Sequence, residues 1–335
     1  MKAKRASKKQ VTNKTKVRVA MIGAGKLSTA MHYPSLASFK DVEFAAVCDL
    51  NTERLDATAD KYGIERRYTD YRKMIEDVAP DGVYAVGEPH VMYDVWTWCL
   101  EHGLNLFVEK PLGLNIHQAQ CLTHLAEKHG CMTQVGFQRR SAPILVKVRE
   151  ECLKRGPIVH AVCEFFKCEM TPFLGACDHA MGDCVHSIDT VRWMCGGEVI
   201  DVESHCKRIG VPDINWIGAT LYFDNGSVGY VINTWASGRR VFRVQMHAPG
   251  IYTDAELEAK AYVYADNDYN GVEYDTKEVA GSDDIIVYGG FRAKNREFID
   301  SLKTGKEQTT SPFTDAVKTM EVAEVIRAQA LLNGE

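Results

Sequence analysis

The sequence predicts an α/β chain: a doubly wound parallel sheet with helices on both faces, then an α+β domain with a large, mainly antiparallel sheet. Three observations predict it. Short apolar, β-branched runs alternate with helix-like segments over residues 17–137. The first of those runs ends in a Gly-x-Gly turn. Beyond residue 198 the pattern changes to runs of alternating apolar and polar residues separated by turn residues.

The elements follow in order. "VRVAMI" (17–22) reads as a buried parallel strand, and "GAGKLSTAMHYPSLASF" continues it as a glycine turn and a helix. Gly23 suits a tight turn, and Gly25 lacks a Cβ, so a pyrophosphate can approach the helix N-terminus, with Lys26 and Leu27 on its first turn. Ser28 stands where a third glycine is usual. "VEFAAVCDL" (42–50) reads as the second strand and ends in Asp49, 24 residues beyond Gly25. An acid there accepts hydrogen bonds from adenosine ribose hydroxyls and repels a 2′-phosphate, so the combination predicts NAD rather than NADP. Asp49 could equally begin a helix cap, and the next arginine is Arg54, inside "NTERLDATADKYG".

The alternation continues through "TDYRKMIEDVAP" (helix), "DGVYAVGEP" (a strand ending in a loop with Pro89) and "HVMYDVWTWCLEHG", a helix stopping at Gly103. "LNLFVEKP" is the next strand, and Asn115 with Gln118 caps the helix after it. "CMTQVGF" closes the first half. Ligands of such sheets lie at the carboxyl ends of the strands, where Lys110 stands. Pro111 fixes its own φ and holds Lys110 extended, so the position of Lys110 is constrained.

In the second half, "MGDCVHSIDTVRWMCGG" (181–197) has helical periodicity, with His186 and Asp189 three apart on one face. The plain alternative for His186 is a buried helix histidine capped by Asp189. The strand-like runs from "EVIDVESHCKR" to "GVEYDTKEV" then form the antiparallel sheet, with "DNGS" as a hairpin turn. Its exposed face would serve as a wall or a dimer surface. Trp235, Arg239, Arg240, Arg139 and Arg140 fit a pocket lining and a sheet interface equally well.

The 335 residues, 45% hydrophobic and 25% charged, suit a two-domain globular protein. No apolar run reaches the roughly 20 residues needed to cross a bilayer. Residues 1–16 hold seven Lys/Arg and no acid, which reads as a basic flexible tail. Without those seven, 33 basic residues stand against 45 acids, a net charge of −12 that argues against a nucleic-acid partner. A cytoplasmic location is expected. The eleven cysteines include no CxxC pair and read as reduced thiols. Zinc is not expected from Cys163, Cys168, Cys177, His179, Cys184 and His186, because Cys163 and Cys168 fall on opposite faces of one strand. No metal is expected.

The segments "VAMIGAGKLSTAMHYPSL", "AAVCDLNTERLDATADKYGI", "VEKPLGLN", "HSIDTVRWMCGG" and "GGFRAKNREFIDSLKTGK", in this order, resemble the glucose–fructose oxidoreductase, inositol dehydrogenase and MocA (Gfo/Idh/MocA) family. The resemblance implies an NAD-binding Rossmann domain over 17–137 and a substrate-binding and oligomerisation domain over 138–335. The second domain would carry an open-faced sheet, with the last helices packing back on the first domain. It implies a cis bond before Pro111, aiming Lys110 at the substrate, and an acid four residues before His186. Gly182 occupies that position and Asp183 stands one residue later, so the role passes to Asp183, with His179 as the other candidate.

The expected set is therefore Lys110, His186 and Asp183 for catalysis. The cofactor would be held by Gly23, Gly25, Lys26, Leu27, Asp49, Glu109 and Lys110. Asp189, His179, His186 and Lys110 would meet the substrate. The expected activity is NAD-dependent oxidation of a secondary hydroxyl on a sugar, glycoside or cyclitol, or the reverse, by a homo-oligomer. The competing expectations are an NAD-dependent glycosidase with transient oxidation, an imine- or biliverdin-type reductase, and a dinucleotide sensor without catalysis.

Overall fold

The computed structural model describes residues 16–334, so the basic tail lies almost wholly outside the described residues. Six parallel strands form the first sheet: β1 (Val17–Ile22), β2 (Val42–Cys48), β3 (Arg67–Tyr68), β4 (Gly82–Ala85), β5 (Leu106–Val108) and β6 (Thr133–Val135). Their order is β3-β2-β1-β4-β5-β6, so the chain reverses direction across the sheet between β1 and β4. Ligands of a doubly wound sheet bind outside the strand ends at such a reversal. The strands are short and almost wholly buried, because helices cover both faces.

Two local departures from the expected pattern have physical causes. The helix after the glycine turn passes through a π turn, Ser28–His32, before its regular part, Tyr33–Ala37. Pro89 is the first residue of the helix Pro89–Glu101 rather than part of a loop, a position where its missing N–H has no partner to lose. The Asn115 cap is present: its side chain accepts from the Gln118 N–H at 2.9 Å, while the Gln118 side chain accepts from the Leu114 N–H at 2.8 Å.

The second sheet has eight strands, β7 (His160–Cys168), β8 (Val199–Lys207), β9 (Trp216–Phe223), β10 (Val228–Thr234), β11 (Ala236–Ala248), β12 (Ile251–Glu256), β13 (Lys260–Ala265) and β14 (Val272–Asp275). The order is β14-β13-β12-β11-β7-β10-β9-β8, antiparallel throughout except for the parallel pair β7 and β10. The "DNGS" turn joins β9 to β10 as a hairpin. Helices Pro143–Leu153, Val185–Cys195 and Phe313–Leu332 pack on this sheet, and strand residues alternate between buried and partly exposed. The partly exposed face carries a row of stacked rings that includes His160, His247, Tyr252 and Tyr264.

The late helix Phe291–Thr304 sends Phe298 and Ile299 into a core shared with Val17, Met21, Tyr84 and Phe107. The end of the chain thus packs against its beginning. No helix among the described residues is long and apolar enough to cross a membrane.

Candidate active site

The glycine turn is shaped by its neighbours. Gly23 has φ +101°, and a Cβ there would lie 2.0 Å from the Val86 carbonyl oxygen, so the position demands glycine. A Cβ on Gly25 would meet nothing within 4 Å, so the space in front of this backbone is open. Lys26 and Leu27 are exposed on the turn that follows, and Ser28 is buried with its hydroxyl unpartnered. Asp49, nine-tenths buried, accepts from the Ala24 N–H at 2.7 Å and the Asn51 N–H at 2.8 Å, and pairs with the Arg54 guanidinium at 3.1 Å. The helix cap is Asn51, which accepts from the Arg54 N–H, and not Asp49. An open glycine backbone, a helix start and an acid at the end of β2 are a donor and acceptor set that fits NAD.

Three strands away, β5 ends at Val108 and Glu109 turns inward. The Glu109 carboxylate lies 2.9 Å from His32 Nε2, with Asn295 on the other ring nitrogen, and accepts the Lys110 N–H at 3.3 Å. A Cβ on Gly136 would lie 2.3 Å from this carboxylate, so a glycine in the next strand's exit makes room for it. The Glu109 side chain is thus an internal strut beneath Lys110, which leaves only its backbone at the strand end to meet a cofactor. The Lys110–Pro111 bond is cis.

Lys110 points the other way. Its ammonium donates to the Gly182 carbonyl at 2.7 Å and to Asp183 Oδ1 at 3.2 Å. Those partners lie in a π turn, Ala180–Cys184, that opens the helix Val185–Cys195. The expected regular helix over 181–197 is thus wider at its start, and both the backbone of Gly182 and the side chain of Asp183 reach the lysine. Asp183 also pairs with the Lys167 ammonium and accepts from the Trp235 indole N–H at 3.3 Å. Burial alone would raise its pKa, but Lys110 and Lys167 hold the carboxyl well below the usual range.

His186 is buried, with Phe137 and Phe165 edge-on to its ring at 6.4 and 6.2 Å. Its Nδ1 has no hydrogen-bond partner among the described residues. Burial, then the charges of Lys110 and Arg139, push its pKa well below the ordinary histidine value, although Asp183 opposes them. The direction favours a neutral imidazole beside the Lys110–Asp183 ion pair. No hydrogen bond joins Asp183 to His186; the acid acts on the imidazole through its charge.

His179 stacks between Phe173 (4.5 Å) and Trp235 (4.0 Å), also with Nδ1 unpartnered and with burial lowering its pKa. Through Trp235, whose indole donates to Asp183, this stack lies beside the Lys110–Asp183 pair. Asp189 requires a correction. It is 1% exposed, forms a two-pronged pair with Arg140 at 2.7 and 2.5 Å, and accepts from Thr319 at 3.2 Å. An acid so occupied is part of the core and is not placed to meet a substrate.

Lys167 was not foreseen. The available signal was the alternation of β7: Cys163 and Phe165 face the core, and Lys167 shares their face. A lysine on the inward face of a strand is the kind of exception that marks a site.

A doubly wound sheet with an open glycine turn is thus joined to a second sheet, and Lys110, Asp183 and His186 come together where the two meet. Residues 17–137 match the Gfo/Idh/MocA model, described as an oxidoreductase family with an NAD-binding Rossmann fold. It is 26% identical over 227 residues to a scyllo-inositol 2-dehydrogenase (NAD(+)) of Bacillus subtilis (strain 168). That stretch is 64% of this chain and 66% of the relative, just short of two thirds. A myo-inositol 2-dehydrogenase of Thermotoga maritima is 24% identical over 303 residues, 86% of each chain. A solved dehydrogenase from Chromobacterium violaceum superposes with a TM-score of 0.85 at 18% identity, covering 96% of this chain and 98% of that one, which shows the shared fold. NAD is the cofactor of this family's first domain.

Proposed function

We propose that this protein oxidises a secondary hydroxyl of a sugar, glycoside or cyclitol to a ketone with NAD, or runs the reverse. The observation that carries the reading is a neutral His186 beside Lys110, with Lys110 held by Asp183 at the carboxyl end of β5. The inositol dehydrogenase relatives support the substrate class. Gly23, Gly25, Lys26, Leu27 and Asp49 would hold NAD, which supplies the hydride acceptor. His186 takes the hydroxyl proton as general base. An ammonium has three N–H donors. Lys110 spends two on Gly182 and Asp183, leaving one for the reacting oxygen, whose developing charge it stabilises. Asp183 keeps Lys110 aimed, and His179 with Trp235 closes the wall.

The test is NADH formation across monosaccharides, cyclitols and glycosides. At least one should give net NADH, with the acidic limb of kcat/KM below pH 6.5. The sign follows from the lowered His186 pKa: the neutral base persists to lower pH than a free imidazole would. Hydrolysis of a glycoside with no net NADH would replace this reading by a glycosidase.

A further inference from the structure

Arg139 and Arg140 are neighbours in the chain and equally buried, at 6% and 7% exposure, yet their surroundings differ completely. Arg140 pairs with Asp189 and Asp315 and donates to the Thr310 carbonyl. Arg139 pairs with no carboxylate among the described residues, and its Nε has no hydrogen-bond partner. Its guanidinium lies over the Phe242 ring at 4.7 Å. Phe242 meets Phe165 edge-on at 5.3 Å, and Arg240 lies over Phe165 at 5.2 Å. Phe165 is also the ring beside His186.

The backbone brings Arg240 there. Pairing of β11 with β7 jumps from Ala236 opposite Cys168 to Val241 opposite Phe166, so residues 237–240 bulge out of the ladder. Bulges of this kind re-aim side chains beside sites. Among the described residues Arg240 has one ion-pair partner, Glu258 at 3.2 Å, with both side chains more than two-fifths exposed. Such a pair exchanges readily.

We propose that this pocket takes a substrate bearing an anionic group, a carboxylate or a phosphate, seated against Arg139 and Arg240 beside His186. The proposal rests on the oxidoreductase reading above. Four cations, Lys110, Lys167, Arg139 and Arg240, surround the site. Asp183 is shared by the two lysines, Glu258 holds Arg240, and Glu169 reaches Lys167 from the surface at 3.7 Å. Arg139 is the cation left over. A buried guanidinium without a partner is costly, and its planar fork matches a carboxylate or phosphate through two parallel bonds. A neutral polyol leaves that fork unmatched. Burial and the nearby Arg240 push the Arg139 pKa down to about 10, which still leaves it charged at neutral pH.

The experiment uses NAD-saturated protein, so that the glycine turn does not compete for anions. Initial rates are compared for a neutral sugar, its uronic acid and its phosphate ester, in native protein, Arg139→Met and Arg240→Gln. One anionic form should exceed the neutral parent in kcat/KM by about tenfold, the scale of one charge-assisted pair, and the winner tells carboxylate from phosphate. The ratio should fall to about one in Arg139→Met and to an intermediate value in Arg240→Gln. Acetate and inorganic phosphate are tested separately in thermal melts; the one matching the preferred ester or acid should stabilise native protein and not Arg139→Met. Arg139→Met alone should melt no lower than native, because it removes an unpaired buried charge. If it does not fold, Arg240→Gln carries both readouts. Equal or better turnover of the neutral sugar, or anion stabilisation that survives Arg139→Met, would overturn the subsite. Anion stabilisation lost in Arg139→Met, with no NADH from any compound, would keep the subsite and sink the oxidation instead.

Discussion

Asp183 and Asp189 leave the same helical segment six residues apart and end in opposite circumstances. Asp189 lies in the regular part of the helix, 1% exposed, with Arg140 and Thr319 closed around it. Asp183 lies in the π turn, its side chain 22% exposed, shared by Lys110, Lys167 and the Trp235 indole. Both are ion-paired acids, so pairing alone does not set the acid proposed to work in the site apart from the structural one. Spare capacity does. The partner of Asp189 is spent on two carboxylates and a carbonyl, whereas Lys110, the partner of Asp183, keeps a donor and a side chain 19% exposed.

The strongest way to break this comparison is to remove the lysine. Lys110→Ala should lower turnover by roughly 10²–10⁴, the range for a positioned charge-stabilising or proton-handling group. NAD affinity by fluorescence titration should change little, because the glycine turn and Asp49 lie apart from Lys110. Lys110→Arg should not rescue turnover, since a planar fork cannot replace a compact ammonium with three radiating donors. Full activity in Lys110→Ala on the true substrate would reduce the Lys110–Asp183 pair to a second structural ion pair.

The next test exchanges the two acids. Asp189→Asn leaves Arg140 buried with only Asp315 as an acid partner, and should cost about 3 kcal/mol of stability, the low end for breaking a buried pair. Asp183→Asn leaves two lysines with access to water and should cost far less stability. It should instead reduce turnover by about tenfold or more, while NAD affinity holds. Chemical denaturation and initial rates on both variants read the two axes separately. Were His179→Ala more damaging to turnover than Asp183→Asn, the acid's role would pass to the histidine.

The same contrast explains what the sequence disclosed. Gly23, Gly25 and Asp49 sit within one strand–helix–strand unit, and their bonds span at most 25 residues, so local spacing alone groups them. Lys110 was legible because Pro111 follows it at a strand end. Its partners lie 72 and 73 residues away, in a π turn whose extra width leaves no mark on periodicity. Asp189 was misread because helix spacing says which face a residue shares, not that Arg140 from another element fills that face. The inward turn of the Glu109 side chain is hidden for a related reason. Only the fold reveals the cavity over Gly136 into which its carboxylate turns.

The smallest effect concerns the cofactor corner. Asp49 already accepts from the Ala24 and Asn51 N–H groups and from Arg54. The carboxylate lies beside the open glycine backbone, where a 2′-phosphate would be repelled. The native protein should therefore bind NAD at least tenfold more tightly than NADP, about 1.4 kcal/mol. Arg54 sets the limit of that preference. Its side chain is 57% exposed and tethered to Asp49 by a single 3.1 Å bond, so it can turn toward a phosphate once the acid is gone. Asp49→Ala should then narrow the preference chiefly by tightening NADP. Arg54→Ala in the native background should widen it by leaving the acid's charge uncompensated. Equal affinity for both dinucleotides in the native protein would mean that Asp49 does not face the ribose, and that its bonds to Ala24 and Asn51 only brace the turn.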